Sequence, residues 1–228
     1  EEERYRVNAF DWKAEFSQVF IQGGFDAVVG NPPYLRIQGL QEHHEGEIEY
    51  FIKHYKSAVK RFDLYLLFAE KGFLLLRPSG VLGFICPHKF INSDFGSGLR
   101  RVLVKNLALE KFISFGNNLI FDQASTYTGL LFLSNTLSES FKYYEFESVP
   151  IRDLPSKLVN LSGDDFTGYE IKNFSDEPWT LTKKHIPSIL QTLSRQQKTL
   201  GEVCEQIMVG VQSGIDNIHV LRYETELP

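Results

Sequence analysis

Apolar positions along the chain recur with two different periods, and the switches between them predict most of the elements. Phe25-Asp26-Ala27-Val28-Val29-Gly30 is apolar and β-branched and is stopped by a glycine and two prolines, the pattern of a strand. Residues 5–10 alternate and predict a shorter strand before it. From 47 to about 76 the spacing turns helical, with Phe51, Tyr55, Leu64, Phe68 and Leu75 near one face, until Arg77-Pro78-Ser79-Gly80 breaks it. Residues 81–86 form a continuous apolar run, as in a strand covered on both faces. Ser93 or Asp94 caps a second helix that runs to about Asn106. Residues 110–115 predict another strand. Residues 127–134 and 141–146 predict two more, joined as a hairpin by the polar turn 135–140.

Strand, helix, strand, helix, strand, hairpin is the signature of an α/β sheet with an antiparallel edge. Beyond about 149 the texture changes. Pro150, Pro155, Ser162-Gly163-Asp164-Asp165 and Ser175-Asp176-Glu177-Pro178 are loop-rich, a helix is expected near 183–195, and 200–221 is rich in Gly and Val. The pattern therefore predicts a first domain over 1–150 and a linker with the start of a second domain over 151–228.

Composition supports a buried core, with 43% apolar and 14% aromatic residues among 228. The net charge of −5 gives no global basic footprint for a nucleic-acid partner. Cations gather locally at Lys53, Lys56, Lys60 and Arg61, and again at Arg100, Arg101 and Lys105, and each run suits a solvated helix face better than a phosphate track. Cys86 reads as a small buried hydrophobe, Cys204 lies far from it, and His43-His44 lacks partners at metal-ligand spacing, so no metal is expected. No apolar stretch approaches twenty residues and no signal peptide opens the chain, which predicts a cytoplasmic protein without a membrane partner. The chain opens on Glu1-Glu2-Glu3 and stops at Leu227-Pro228, so it is expected to be cut from something longer.

The candidate chemistry lies at Asn31-Pro32-Pro33-Tyr34, directly after the strand 25–30. In open α/β sheets, ligands bind beyond the carboxyl ends of strands. Two prolines stiffen the backbone and remove two donors, and Pro33 keeps Pro32 out of the helical region. A rigid loop then offers the Asn31 side-chain oxygen and the Pro32 carbonyl as two acceptors for the two hydrogens of a planar amine. Holding those hydrogens weakens conjugation of the nitrogen lone pair and frees it to attack an electrophilic methyl group, while Tyr34 stacks on the heterocycle for roughly 1–3 kcal/mol. By residue frequencies this tetrapeptide is expected in a chain of this size with a probability on the order of one in a thousand.

The run 25–34 resembles motif IV of the S-adenosylmethionine-dependent amino-methyltransferases. Its continuation is similar to the N6-adenine branch, especially the methylase part of type IIG restriction–modification enzymes. Phe62-Asp63-Leu64-Tyr65 with Phe68-Ala69-Glu70, the strand entered at Arg77-Pro78-Ser79-Gly80, Phe95-Gly96 with Leu99-Arg100, and Phe121-Asp122-Gln123-Ala124-Ser125-Thr126 resemble the family's following elements. The resemblance covers about residues 1–150. It implies a partial Rossmann-like methyltransferase sheet, S-adenosylmethionine as cofactor, double-stranded DNA as partner and a flipped adenine as target. It also implies Asn31 and Pro32 as acceptors for the amine, with Asn31 beside the cofactor, and Tyr34 as a stacking face. Phe121 is implied as an opposing face, with core packing an equal alternative.

Asn8 stands where the family often has an acid that touches the cofactor's adenine. The family's glycine-rich cofactor loop belongs upstream of Asn8, so the isolated 228 residues are expected to bind S-adenosylmethionine weakly and to be inactive. Residues 200–203 and 209–216 resemble the opening of a TaqI-like specificity domain, and a fused or associated endonuclease is compatible with the family. Two other readings stay open: a glutamine-amide methyltransferase acting on protein, and a non-catalytic DNA-recognition fragment.

Overall fold

The strand predicted at 25–30 forms at those residues, and the chain around it explains why. In a computed structural model that describes residues 10–39, 45–121, 126–182 and Glu202, β1 spans Phe25–Gly30. Two short helices, α1 (Trp12–Glu15) and α2 (Ser17–Ile21), lead into it. Gly24 makes the entry possible: at φ +129°, an added Cβ would lie 2.6 Å from the Leu75 carbonyl, so any side chain would drive the two backbones apart.

The single helix expected over 47–76 is instead two, α3 (Glu45–His54) and α4 (Leu64–Leu74). The break has an identifiable cause. The Glu70 carboxylate, 4% exposed, accepts from the backbone N–H groups of Lys56 at 3.1 Å and Ser57 at 2.7 Å. Donors that would continue the ladder of α3 are thus turned to a side chain of α4, and Lys60 follows in the left-handed region at φ 57°. Helix α4 is buried along most of its length, from Tyr65 to Phe73.

After α4 come β2 (Leu76–Pro87), α5 (Ser97–Asn106), β3 (Leu109–Ser114), β4 (Thr128–Ser134), β5 (Ser140–Glu145), α6 (Leu154–Val159) and β6 (Thr167–Glu170). They make one six-stranded sheet in the order β1-β2-β4-β3-β5-β6. The pairs β1–β2 and β3–β5 are parallel, and β2–β4, β4–β3 and β5–β6 are antiparallel. The mixed α/β architecture is the one expected. The hairpin is not: β3 lies between β4 and β5, which never pair, so 135–140 is a crossover rather than a tight turn.

Alternation sorts the side chains to two faces. Phe112, Leu131 and Leu133 join Leu82, Phe84, Cys86 and the helices α4 and α5 in the larger core, while Ile113, Leu130 and Phe132 turn to a smaller core with Phe115, Phe146, Val149 and Leu154. Coverage of the second face stops short of β1. Val81 is 45% and Val29 84% exposed, so β2 is not sealed on both faces as its apolar run predicts.

The sheet also runs past the division expected near 150, because β6 pairs with β5 and Trp179 donates its backbone N–H to the Ile91 carbonyl at 2.8 Å. The compact unit that holds the sheet extends over Glu1–Ile186, and Pro187–Pro228 form a second unit. The expected strand at 5–10 and helix at 183–195, together with Asn8, Cys204 and 209–216, lie outside the described residues.

Candidate active site at the carboxyl end of β1

Because β1 and β2 are parallel and adjacent, the segments that follow them, 31–39 and 88–96, emerge at the same end of the sheet. At the end of β1, Pro32 is buried and Asn31 and Pro33 are exposed. One proline therefore anchors the corner in protein while the flanking asparagine faces outward. Tyr34 is half-buried, and its hydroxyl donates to the Ile85 carbonyl of β2 at 3.1 Å. That bond spans the two strands and fixes the ring's far end. Burial, reinforced by the nearby Cys86 thiol, raises the Tyr34 hydroxyl well above the ordinary phenol range, so it stays a neutral donor.

The chain beyond Tyr34 is tied down as firmly. Leu64 donates to the Leu35 carbonyl at 2.9 Å and Ile37 to the Phe62 carbonyl at 3.2 Å, with a bridge between Arg36 and Asp63. The corner thus runs from β1 straight into a seam with the start of α4. Beside it opens a cleft of about 460 Å3 lined by Arg36, Lys60, Arg61, Asp63, Lys89 and Asp94. Burial pushes the Asp63 carboxyl upward, opposed by Arg36 and Lys89.

The profile of the family described as "Eco57I restriction-modification methylase" matches residues 1–121, more than half of the chain and the whole of this corner. The chain belongs to that family. It is similar to the type II restriction enzyme and methyltransferase RM.Eco57I of Escherichia coli, at 32% identity over 225 residues, which are 96% of this chain and 21% of the relative. It is also similar to the type II methyltransferase M.BstVI of Geobacillus stearothermophilus, at 26% identity over 86% of this chain and 37% of the relative. A chain in the cryoEM structure of a DrdV–DNA complex shares the fold with a TM-score of 0.55, at 18% identity over 75% of this chain and 20% of that one. The Eco57I-family chain thus spans about a fifth to two fifths of the lengths of these relatives.

The Eco57I-family corner brings Asn31, Pro32, Pro33 and Tyr34 together as one rigid unit. Phe121 is there too, but in a different posture from the one expected. Its ring meets Tyr34 at 6.3 Å between centroids with planes at 62°. A base held between two faces needs near-parallel rings about 7 Å apart, twice an ordinary stacking distance, so Phe121 closes on Tyr34 here rather than opposing it across a slot. Asn8 lies outside the described residues, as do 122–125 beside Phe121.

Sequence reasoning missed a polar row at the same end of the sheet. His88 Nδ1 lies 3.0 Å from the Ser114 hydroxyl, which also accepts from the Gly116 N–H. Tyr143 donates to Glu145 at 2.7 Å. Burial holds His88 below its ordinary range, with Glu145 opposing, so the imidazole is kept neutral. The signal was a set of polar residues at the ends of otherwise apolar strands, which periodicity treats as strand stops. No helix among the described residues is long and apolar enough to cross a membrane.

Proposed function

We propose that this chain is the catalytic-loop portion of a site-specific DNA adenine methyltransferase in a restriction–modification protein. The target is the exocyclic N6 amine of an adenine turned out of the duplex. The observation that carries this reading is the corner itself: an exposed Asn31, a buried Pro32 and a Tyr34 locked by its hydroxyl, at the carboxyl end of β1 in a restriction–modification methylase family. Asn31 Oδ1 and the Pro32 carbonyl accept one N–H each from the amine and hold its nitrogen with the lone pair free. Neither amide oxygen is basic enough to keep a proton at neutral pH, so the proton lost on transfer passes to water. Tyr34 offers its face to the adenine ring, and Phe121 swings away from Tyr34 to admit it.

S-adenosylmethionine is the cofactor this reading requires, and when bound it supplies an electrophilic methyl group. The described residues fit it in part. Asn31 is exposed where the cofactor must reach the amine, and Val29, two residues before it, is 84% exposed on β1, leaving that flank of the corner open to a group held by other segments. We assign the start of a target-recognition region to the second unit, which contains the TaqI-like segments 200–203 and 209–216. An endonuclease would lie elsewhere in the protein, since RM.Eco57I is named as both restriction enzyme and methyltransferase and this chain covers 21% of it.

The test is methylation of plasmid DNA by the full-length protein with isotope-labelled S-adenosylmethionine, followed by mass spectrometry of the nucleosides. N6-methyladenine at one recurring sequence is the expected product. Label found only in protein glutamine, or in no macromolecule, would overturn the proposal.

A further inference from the structure

We infer that the cleft beside the catalytic corner grips phosphates of the DNA strand that carries the target base, through Arg36, Lys60, Arg61 and Lys89; this rests on the function proposed above. The four cations come from three separate segments: Arg36 from the seam after Tyr34, Lys60 and Arg61 from the turn between α3 and α4, and Lys89 from just beyond β2. All four are exposed, and the cleft also holds two acids, Asp63 and Asp94. Lys60 lies 3.4 Å from Asp94, a pair so exposed that it holds the two side chains together only weakly. Asp63 is half-buried, and burial raises its carboxyl while the nearby charges of Arg36 and Lys89 oppose that rise. A surplus of positive charge is thus concentrated here on a chain whose net charge is −5.

The backbone is built to hold the cations in place. The seam of Leu35, Arg36 and Ile37 against residues 62–64 fixes Arg36. The Glu70 carboxylate fixes the turn at Lys56 and Ser57 that leads into Lys60 and Arg61. A fixed backbone lowers the ordering cost of binding, and guanidinium groups suit phosphate oxygens in pairs. Only Leu35 separates Arg36 from Tyr34, so a phosphate held at Arg36 lies next to the stacked nucleotide. Each strand of a duplex carries a phosphate about every 3.4 Å of helix axis, and the cleft of about 460 Å3 has room for one or two of them. An extruded base leaves its flanking phosphates displaced from the helix, and a fixed grip on them would hold that distortion open without reading sequence.

The experiment compares duplex affinity and methyl transfer in the full-length protein and three variants across a salt series. Arg36→Gln/Lys89→Gln and Lys60→Gln/Arg61→Gln remove charge from different segments, and Lys142→Gln removes an exposed lysine on β5. Each cleft pair is expected to flatten the plot of log affinity against log salt by about one to two and to weaken low-salt binding about tenfold, while Lys142→Gln leaves both unchanged. A duplex with uncharged methylphosphonates flanking the target adenine should weaken wild type by a similar factor and weaken the cleft variants no further. Unchanged slopes in both cleft pairs, with wild-type methylation intact, overturn the cleft alone. Wild-type protein that neither binds duplex in a salt-dependent way nor methylates it overturns this inference together with the proposed function. Because the pairs sit on different segments, a folding defect in one, seen as a lowered melting temperature, leaves the other to decide.

Discussion

Two clefts of nearly equal size open toward the carboxyl ends of the strands, and their charges are opposite. The cleft beside β1 and β2 holds four cations and two acids in about 460 Å3. The other, beside β5 and β6, holds Glu145, Glu147, Asp164 and Asp165 with Lys157 in about 470 Å3. Four strand spacings separate β1 from β5, about 19 Å. Overall charge is thus a poor guide to partners for this chain. Four acids gather at the side away from the candidate corner, and the corner keeps a local surplus of cations. On the proposed function, a polyanion approaching at low salt would meet attraction at one side and repulsion at the other, a bias toward Asn31.

The sharpest way to break this contrast is to separate chemistry from binding at the corner. Asn31→Ala removes one of the two proposed acceptors while leaving every cleft cation in place. Methyl transfer is expected to fall by roughly 10²–10³-fold, the scale seen when one fixed polar partner of a reacting group is lost. Duplex affinity and its salt slope should hold within about twofold. A parallel loss of affinity would mean that the corner and the basic cleft are not distinct functions.

Glu70 tests what holds the basic side together. Its carboxylate bonds two backbone N–H groups that have no helical partner in the break between α3 and α4. Glu70→Ala strands one buried donor, at Ser57, and one part-buried donor, at Lys56, and stability is expected to drop by about 2 kcal/mol in denaturant titration. In the folded fraction, the salt slope should flatten as it does for Lys60→Gln/Arg61→Gln. A loss of stability with an unchanged slope would show that the turn carries its cations without help from Glu70.

These cases also show what the sequence makes legible. β1 is found to the residue because everything that stops it, a glycine and two prolines, is adjacent. The candidate corner stands out for the same reason, since the chemistry proposed for it sits in four consecutive residues. The split of the helix is not, because its cause lies at Glu70, thirteen residues beyond Ser57. The false hairpin comes from the same limitation: alternation marks β4 and β5 as strands but carries no information that β3 will insert between them. Arg100 shows it for charge. Read as part of a solvated run, it is fully buried, and its guanidinium donates to the carbonyls of Phe90, Ser93 and Asp176, the last of them 76 residues away. The basic cleft needed three distant segments to meet, so local charge counting saw only a helix face.

A smaller effect refines the corner. Tyr34→Phe removes the hydroxyl that bonds Ile85 and leaves that carbonyl short of a donor while keeping the ring. Stability should fall by about 1 kcal/mol, and transfer should change by less than about threefold, since the stacking face remains. Tyr34→Ala should cost far more in transfer than in folding. Equal losses from both substitutions would place the hydroxyl, rather than the ring, at the centre of the site.

The smallest expected effect bears most directly on the contrast between the clefts. Glu147→Gln with Asp164→Asn removes two exposed charges from the acidic cleft. At physiological salt the screening length is about 8 Å, less than half the spacing between the two edges of the sheet that carry the clefts. Neutralising the acids should therefore leave duplex affinity within about twofold and the salt slope unchanged near 0.15 M, with a modest rise in association rate appearing only at low salt. A tenfold tighter complex or a steeper slope would mean that the bound duplex crosses both clefts, and the acidic edge would then be a brake on binding rather than a guide to its orientation.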